Sequence, residues 1–285
     1  MNIAVVGLGL IGGSMCKSLK KNSFHHVMGL DNNKETVSKA LSSGAIDEEI
    51  SCNELYKANL TIICLYPDGI LNFVKENVNK FNKGSIVIDC CGVKKKIVDF
   101  CTPLLKEKEV IFVGTHPMAG REFSGFDYSS DDLFNGASFI ITPLDDTPSI
   151  AVDLVSTLAG SIGFGKAVLS TPEKHDQVIA YTSQLAHIVS NSYVKSPSVH
   201  DFNGFSAGSF LDLTRVAKLN EDMWTSLFLY NKDALIFEID QILDNIKKCR
   251  DAIQHENTAE LRELLKQGRI LKEKCNELYG KSGRK

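Results

Sequence analysis

At 285 residues the chain is longer than a typical single domain and fits one large domain or two smaller ones. Its 43% hydrophobic and 24% charged residues are ordinary for a soluble globular protein, and a formal charge of −3 gives no basic excess for a nucleic-acid backbone. Lys94-Lys95-Lys96 is too short a basic run to change that, and no apolar stretch reaches the ~18 residues of a membrane span.

The first elements form a strand, a glycine turn and a helix. Residues 3–6 are a buried-strand run, followed at once by Gly7-Leu8-Gly9-Leu10-Ile11-Gly12 and a helical stretch over residues 14–21. In a G-x-G-x-x-G turn between strand and helix, Gly7 makes the tight turn. Gly9 lets a pyrophosphate approach the backbone, and Gly12 lets helix and strand pack closely. A second strand, residues 26–30, ends in Asp31, 19 residues beyond Gly12. A carboxylate there hydrogen-bonds the adenosine ribose hydroxyls and repels a 2′-phosphate, so NAD is expected rather than NADP.

The alternation continues with helix 34–43, strand 60–65, helix 69–81, strand 85–89, helix 93–106 and strand 110–113. Strand 138–142 and helix 148–163 follow. The pattern predicts an α/β, Rossmann-like, doubly wound parallel sheet covered on both faces. Ligands bind beyond the carboxyl ends of such strands, where Leu65, the Asp89-Cys90-Cys91-Gly92 run and His116 converge. His116 belongs to a site loop, residues 114–122, where Pro117 biases it towards an extended conformation and its imidazole can exchange a proton near neutral pH. Cys90 and Cys91 read as small buried hydrophobes. The eight cysteines form no C-x-x-C pair and no zinc ligand set, and suit reduced thiols in a cytoplasmic protein.

From Thr171 the period becomes helical. Thr171 and Pro172 start one long helix up to about residue 195, broken by Ser196-Pro197-Ser198. A short helical region holds Asp212 and Arg215, Asn220 starts the helix with Met223 and Trp224, Asn231 caps a long third helix, and Asn257 with Glu260 makes a capping box for the last. His175 at a helix start reads as exposed. Arg215, in an apolar stretch, calls for a carboxylate, either Asp212 or one on a substrate. The boundary expected from this change is 1–170 for the NAD-binding domain and 171–285 for an all-α domain. That domain is too thin to bury its own apolar faces, so a homodimer is expected. Residues 266–285 read as a solvated helix face and frayed tail.

Gly7-Leu8-Gly9-Leu10-Ile11-Gly12-Gly13-Ser14, His116-Pro117-Met118-Ala119-Gly120, Ser183-Gln184-Leu185-Ala186-His187 and Asp212-Leu213-Thr214-Arg215-Val216-Ala217 with Met223-Trp224 occur in that order. Together they resemble the prephenate/arogenate dehydrogenase family of tyrosine biosynthesis. The resemblance implies oxidative decarboxylation of prephenate to 4-hydroxyphenylpyruvate with NAD+, or the corresponding reaction of arogenate. It implies His116 as the catalytic acceptor of the ring hydroxyl proton, Arg215 as the substrate-carboxylate ligand and His187 as a second active-site histidine. Glu122 and Asp212 match acidic residues at the substrate entrance, and Gly7, Leu8, Gly9, Leu10, Ile11, Gly12, Asp31 and Leu65 match the cofactor site. Relatives often carry a serine where this chain has Gly92, so a water or the Cys91 region is expected to replace it.

With its first strand at residue 2 and no evident regulatory segment, the chain is expected to be monofunctional. Arg121 is expected to disfavour the arogenate ammonium if it faces the pocket. A 3-hydroxyacid-type dehydrogenase lacks support, because its glycine-rich substrate loop and helical-domain lysine are missing. A non-catalytic NAD(H)-sensing dimer is the reading from another class, without a basic recognition helix to favour it.

Overall fold

The computed structural model describes residues 1–200, 204–205 and 208–281. Eight strands form one sheet: β1 (Asn2–Val6), β2 (His26–Leu30), β3 (Glu48–Glu49), β4 (Leu60–Ile63), β5 (Ile86–Asp89), β6 (Ile111–Pro117), β7 (Ser138–Thr142) and β8 (Lys166–Leu169). Their order is β3-β2-β1-β4-β5-β6-β7-β8. The order in which strands are added reverses between β1 and β4, and such a switch opens a crevice at the strand ends.

Alternation along the strands explains the two-sided burial. Ile3 and Val5 of β1 face one apolar cluster with Ile62 and Ile88, while Ala4 and Val6 face the other with Ile63 and Val87. Helices α1 (Leu10–Asn22), α2 (Lys34–Ser42), α3 (Pro67–Asn77), α4 (Lys95–Lys106) and α5 (Ser149–Ile162) accompany this sheet.

The sheet is parallel except at one pairing. β6 pairs antiparallel with β7, His116 lying opposite Ile140 and Pro117 opposite Phe139. The strand expected to stop at residue 113 therefore runs on through Pro117, because β7 supplies partners for its last residues. The connection between β6 and β7 crosses α1, where Lys17 Nζ donates to the Ser129 carbonyl, Ser18 Oγ to the Asp131 carbonyl, and Ser130 N to Ser14 Oγ. That crossing returns the chain pointing the other way. Strands β3 and β8 lack the long apolar runs of their neighbours and lie at the two edges.

The predicted long helix from residue 171 is one helical run with a change of pitch: α6 (Pro172–Ile179), a π-helical turn over Ala180–Gln184, and α7 (Leu185–Tyr193). Thr171 caps it by accepting from Lys174 N, and Pro172 occupies its first turn, as expected. Then come α8 (Gly208–Thr214), α9 (Glu221–Tyr230), α10 (Lys232–Gln254) and α11 (Thr258–Lys281). Asn220 caps α9 through Met223 N. Asn231 stands at the start of α10 as expected, its carbonyl accepting from Leu235 N, and its Nδ2 donates to the Asp176 carbonyl at 2.9 Å and to Gln184 Oε1 at 2.8 Å, tying α6 and the π turn to the start of α10. At α11, Asn257 Oδ1 accepts from Glu260 N, but Glu260 Oε2 receives the Asn257 side-chain amide rather than a backbone N–H.

By density of contacts the chain forms two compact units, Met1–Leu235 and Ile236–Lys285. Every site residue named below lies in the first. The second contains most of α10 and all of α11, with Phe237, Leu243, Ile246, Leu265 and Leu271 each more than half exposed. Residues 282–285 of the expected frayed tail lie outside the described residues.

Candidate active site

The glycine turn between β1 and α1 has the shape a dinucleotide requires. Gly7 has φ +85°, and a methyl there would lie 2.6 Å from the Cys64 carbonyl oxygen. A methyl at Gly12 would lie 1.9 Å from the Gly7 carbonyl oxygen. At Gly9 a methyl would meet no atom within 4 Å, so this glycine borders open space at the N-terminus of α1. That helix end has no side-chain cap and no acidic residue in its first turn, which leaves its N–H groups and positive potential for phosphates.

Asp31 stands at the end of β2, where Oδ2 accepts from Leu8 N at 2.7 Å and Oδ1 from Asn33 N at 2.8 Å. The carboxylate is thereby fixed beside the glycine turn. Leu65 packs against Gly7, Leu8 is fully buried beneath the turn, and Leu10 and Ile11 are half-buried on the first turn of α1. These residues fit NAD.

Across the crevice, a buried ion pair joins the end of β5 to the residue that precedes α4. The Lys94 and Asp89 side chains are fully buried, with Lys94 Nζ bonded to Asp89 Oδ2 and, at 2.6 Å, to the Thr115 carbonyl. Asp89 also accepts from Cys91 N at 2.9 Å and from Thr115 N at 3.1 Å. Buried charges persist only when paired and hydrogen-bonded in this way. The arrangement clamps Thr115, and with it the backbone that carries His116.

His116 is half-buried and its Nδ1 lies 2.9 Å from His175 Nε2. His175 Nδ1 lies 2.7 Å from Asp176 Oδ1. Asp176 in turn accepts Lys94 N at 2.7 Å and Lys95 N at 2.9 Å, capping α4 from a distant part of the chain. Burial, then His175, then the Lys94 ammonium hold the His116 imidazole well below its ordinary range. Burial also lowers His175, against the opposing hydrogen bond to Asp176. Both rings are therefore neutral near physiological pH.

His175 corrects the sequence reading. It is 3% exposed, not a solvated helix-start residue, because α6 packs its first turn against the end of β6 and the start of α4. The available signal was the adjacent pair His175-Asp176 one turn after a Thr-Pro helix start. Lys94, one of the three lysines of the short basic run, is fully buried and paired with Asp89 rather than solvated.

Gly92 faces His116: a methyl added there would lie 3.8 Å from His116 Nε2 and 3.5 Å from Leu227 Cδ2. The Cys91 region does not replace a hydroxyl at this point. Cys91 is buried in the other apolar cluster, and burial pushes its thiol up to about 12. Cys90 is half-buried and packs against the first apolar cluster, in keeping with its reading as a small hydrophobe.

Of the remaining predicted residues, His187, Asp212 and Arg215 lie in the helical part and Glu122 in the connection after β6. His187 Nδ1 is 2.8 Å from the Ser183 carbonyl, its ring stacks on Trp224 at 3.9 Å between centroids, and burial lowers its pKa. Arg215 follows α8 and pairs with Glu122, Nη1 to Oε1 at 3.2 Å, both side chains being more than half exposed. The expected partner Asp212 instead sits exposed on α8. Arg121 donates to Ser130 Oγ at 3.1 Å and lies 3.8 Å from Asp132, so discrimination against an ammonium through Arg121 loses its basis.

Comparison with known proteins agrees with this geometry. Residues 15–166 match the nucleotide-binding domain of prephenate dehydrogenase, and residues 171–267 its dimerization domain. The prephenate dehydrogenase of Bacillus subtilis is 32% identical over 269 residues, 91% of this chain and 72% of that protein. Prephenate dehydrogenase from A. aeolicus, solved with hydroxyphenyl propionate and NAD+, superposes with a TM-score of 0.87 at 31% identity, covering 96% of this chain and 98% of that one. A Synechocystis arogenate dehydrogenase superposes with a TM-score of 0.82 at 27% identity, covering 96% and 99%. An NAD-dependent enzyme replaces the reading as a non-catalytic sensor, and the chain belongs to the prephenate dehydrogenase family.

Proposed function

We propose that this chain converts prephenate to 4-hydroxyphenylpyruvate and CO2, with His116 as the group that receives the ring hydroxyl proton. The observation that carries the assignment is an imidazole at the end of β6 whose Nε2 faces the gap at Gly92 and whose Nδ1 is held by His175. NAD+, when bound, accepts the two electrons and the hydrogen leaving the ring carbon that bears the hydroxyl. His116 Nε2 takes the hydroxyl proton as that C–H bond breaks and returns it to the oxygen as the carboxylate departs and the ring becomes aromatic. Prephenate and NAD+ thus give 4-hydroxyphenylpyruvate, CO2 and NADH, with no net proton lost. The residues gain rate chiefly by positioning and by charge placement.

Arg215 is the ligand for a substrate carboxylate, a task suited to its planar fork. Its exposed pair with Glu122 is weak enough to open on substrate entry. Glu122 and Asp212 shape the charge of that entrance, and His187 stacked on Trp224 forms an aromatic wall. Gly7, Leu8, Gly9, Leu10, Ile11, Gly12, Asp31 and Leu65 hold NAD. The helical part begins at residue 171 and forms a homodimer through the exposed apolar faces of α10 and α11. Eight free thiols suit a cytoplasmic enzyme.

Arogenate is the second reading. With Nδ1–H donated to Ser183, His187 presents Nε2 as an acceptor, which suits an ammonium better than a keto group. NADH formation with prephenate and arogenate in parallel, each with NAD+ or NADP+, separates the two. A higher kcat/KM for prephenate with NAD+ is expected, and exclusive turnover of arogenate would replace the substrate assignment.

A further inference from the structure

We infer that His175 and Asp176 lock His116 in the tautomer that carries its proton on Nδ1 and leaves Nε2 bare. The inference rests on the assignment of His116 as base made above. It follows from counting hydrogens along one chain of contacts. The Asp176 carboxylate already accepts two backbone N–H groups, from Lys94 and Lys95, and has only acceptor capacity to offer His175. His175 must therefore present Nδ1–H across the 2.7 Å contact. A neutral imidazole with its proton on Nδ1 has a lone pair on Nε2. Across the 2.9 Å contact to His116, the donor must then be His116 Nδ1–H. Nε2 of His116, the atom facing Gly92, is left without a proton.

An unassisted imidazole is free to hold its proton on either nitrogen, and in the wrong tautomer His116 would offer the substrate hydroxyl a donor. The fixed order of donors removes that state. It also supplies stabilisation once His116 gains a second proton, since His175 Nε2 and, behind it, Asp176 then face an imidazolium. The charged groups packed around the pair are Lys94, Asp89 and Asp176. Lys94 is neutralised locally by Asp89, so Asp176 is the carboxylate that orients the pair.

His175 and Asp176 are positioning residues, because they act through His116. Three elements hold them in place: α6 carries both, the N-terminal turn of α4 binds the Asp176 carboxylate, and Asn231 binds the Asp176 carbonyl. A side chain merely filling space would not need this polarity.

The test is nitrogen NMR of 15N-histidine-labelled full-length protein near neutral pH, with the His116 signals assigned from His116→Asn. The expected wild-type result is a protonated Nδ1 and a bare Nε2. In His175→Leu the bare state should shift to the other nitrogen or average between the two. The same variant should lose roughly a hundredfold in kcat while keeping its affinity for NAD+. His175→Gln, whose carbonyl oxygen can accept from His116 Nδ1, should recover at least about tenfold of that loss. A wild-type His116 protonated on Nε2 overturns the inference, as does wild-type turnover in His175→Leu or a glutamine variant no better than leucine. If wild-type enzyme turns over neither substrate, the activity assignment has failed, and the tautomer measurement still decides the lock.

Discussion

A carbon atom added at Gly92 would stand 3.8 Å from His116 Nε2, so the residue facing the reactive nitrogen contributes no side chain. Its backbone is not in the left-handed region, and no atom lies closer than 3.5 Å to the added carbon. Gly92→Ala should therefore stabilise the fold by about 0.4–1 kcal/mol in urea unfolding, through the unfolded chain. Gly92→Ser brings a hydroxyl within reach of Nε2 and should raise kcat roughly two- to tenfold, the worth of one hydrogen bond, with NAD+ affinity unchanged. A large loss of turnover in the serine variant would mean that the gap is needed by substrate or water.

Asp31 accepts from Leu8 N beside the glycine turn, and under the proposed function it takes the ribose hydroxyls as well. Asp31→Ser should lower the ratio of kcat/KM for NAD+ over NADP+ by roughly tenfold or more, about 1.4 kcal/mol. An unchanged ratio would locate cofactor choice elsewhere.

Acid sensitivity follows from histidines that burial keeps neutral, three of them among the residues of the candidate site. His116, His175 and His187 are all held below the ordinary value of about 6.5 by burial. Between that value and the lower folded ones, the unfolded chain binds more protons than the folded chain. Stability is thus complete above ~6.5 and falls as pH drops below it. Urea midpoints measured across that range should decline on the acid side, while kcat/KM keeps its neutral base and falls only at lower pH. Stability that rises on acidification through ~6.5 would contradict the burial of these rings.

The Arg215–Glu122 pair predicts opposite effects at its two ends. Arg215→Gln removes a charged donor and should raise KM for prephenate by roughly tenfold to a hundredfold, with little change in NAD+ affinity. Glu122→Gln frees the guanidinium and should lower KM severalfold or leave it unchanged, since the exposed pair is worth ~1 kcal/mol at most. A KM raised by Glu122→Gln would make Glu122 a substrate ligand itself.

The sheet and the cofactor turn were legible because local sequence dictates them. Gly7 and Gly12 each answer a steric demand that only glycine meets, Gly9 leaves open space at the helix end, and β1, β2, β4 and β5 announce themselves as apolar runs. Strand β8 and the reversal at β7 were hidden, since they depend on how residues 118–137 cross α1. His116 was visible from its place after an apolar strand, but its partners were not. The separation of 59 positions between His116 and His175 gives no local signal, and the burial of Lys94 depends on Asp89 and Thr115 from two strands. Arg215 announced its need for a carboxylate, yet only the fold shows that Glu122 rather than Asp212 supplies it.

The most direct test is turnover of prephenate with NAD+ by wild-type protein and by His116→Asn. The account predicts NADH formation by the wild type, and a variant that binds NAD+ equally well but loses roughly a hundredfold or more in kcat. Near wild-type turnover in His116→Asn would contradict the assignment of the base.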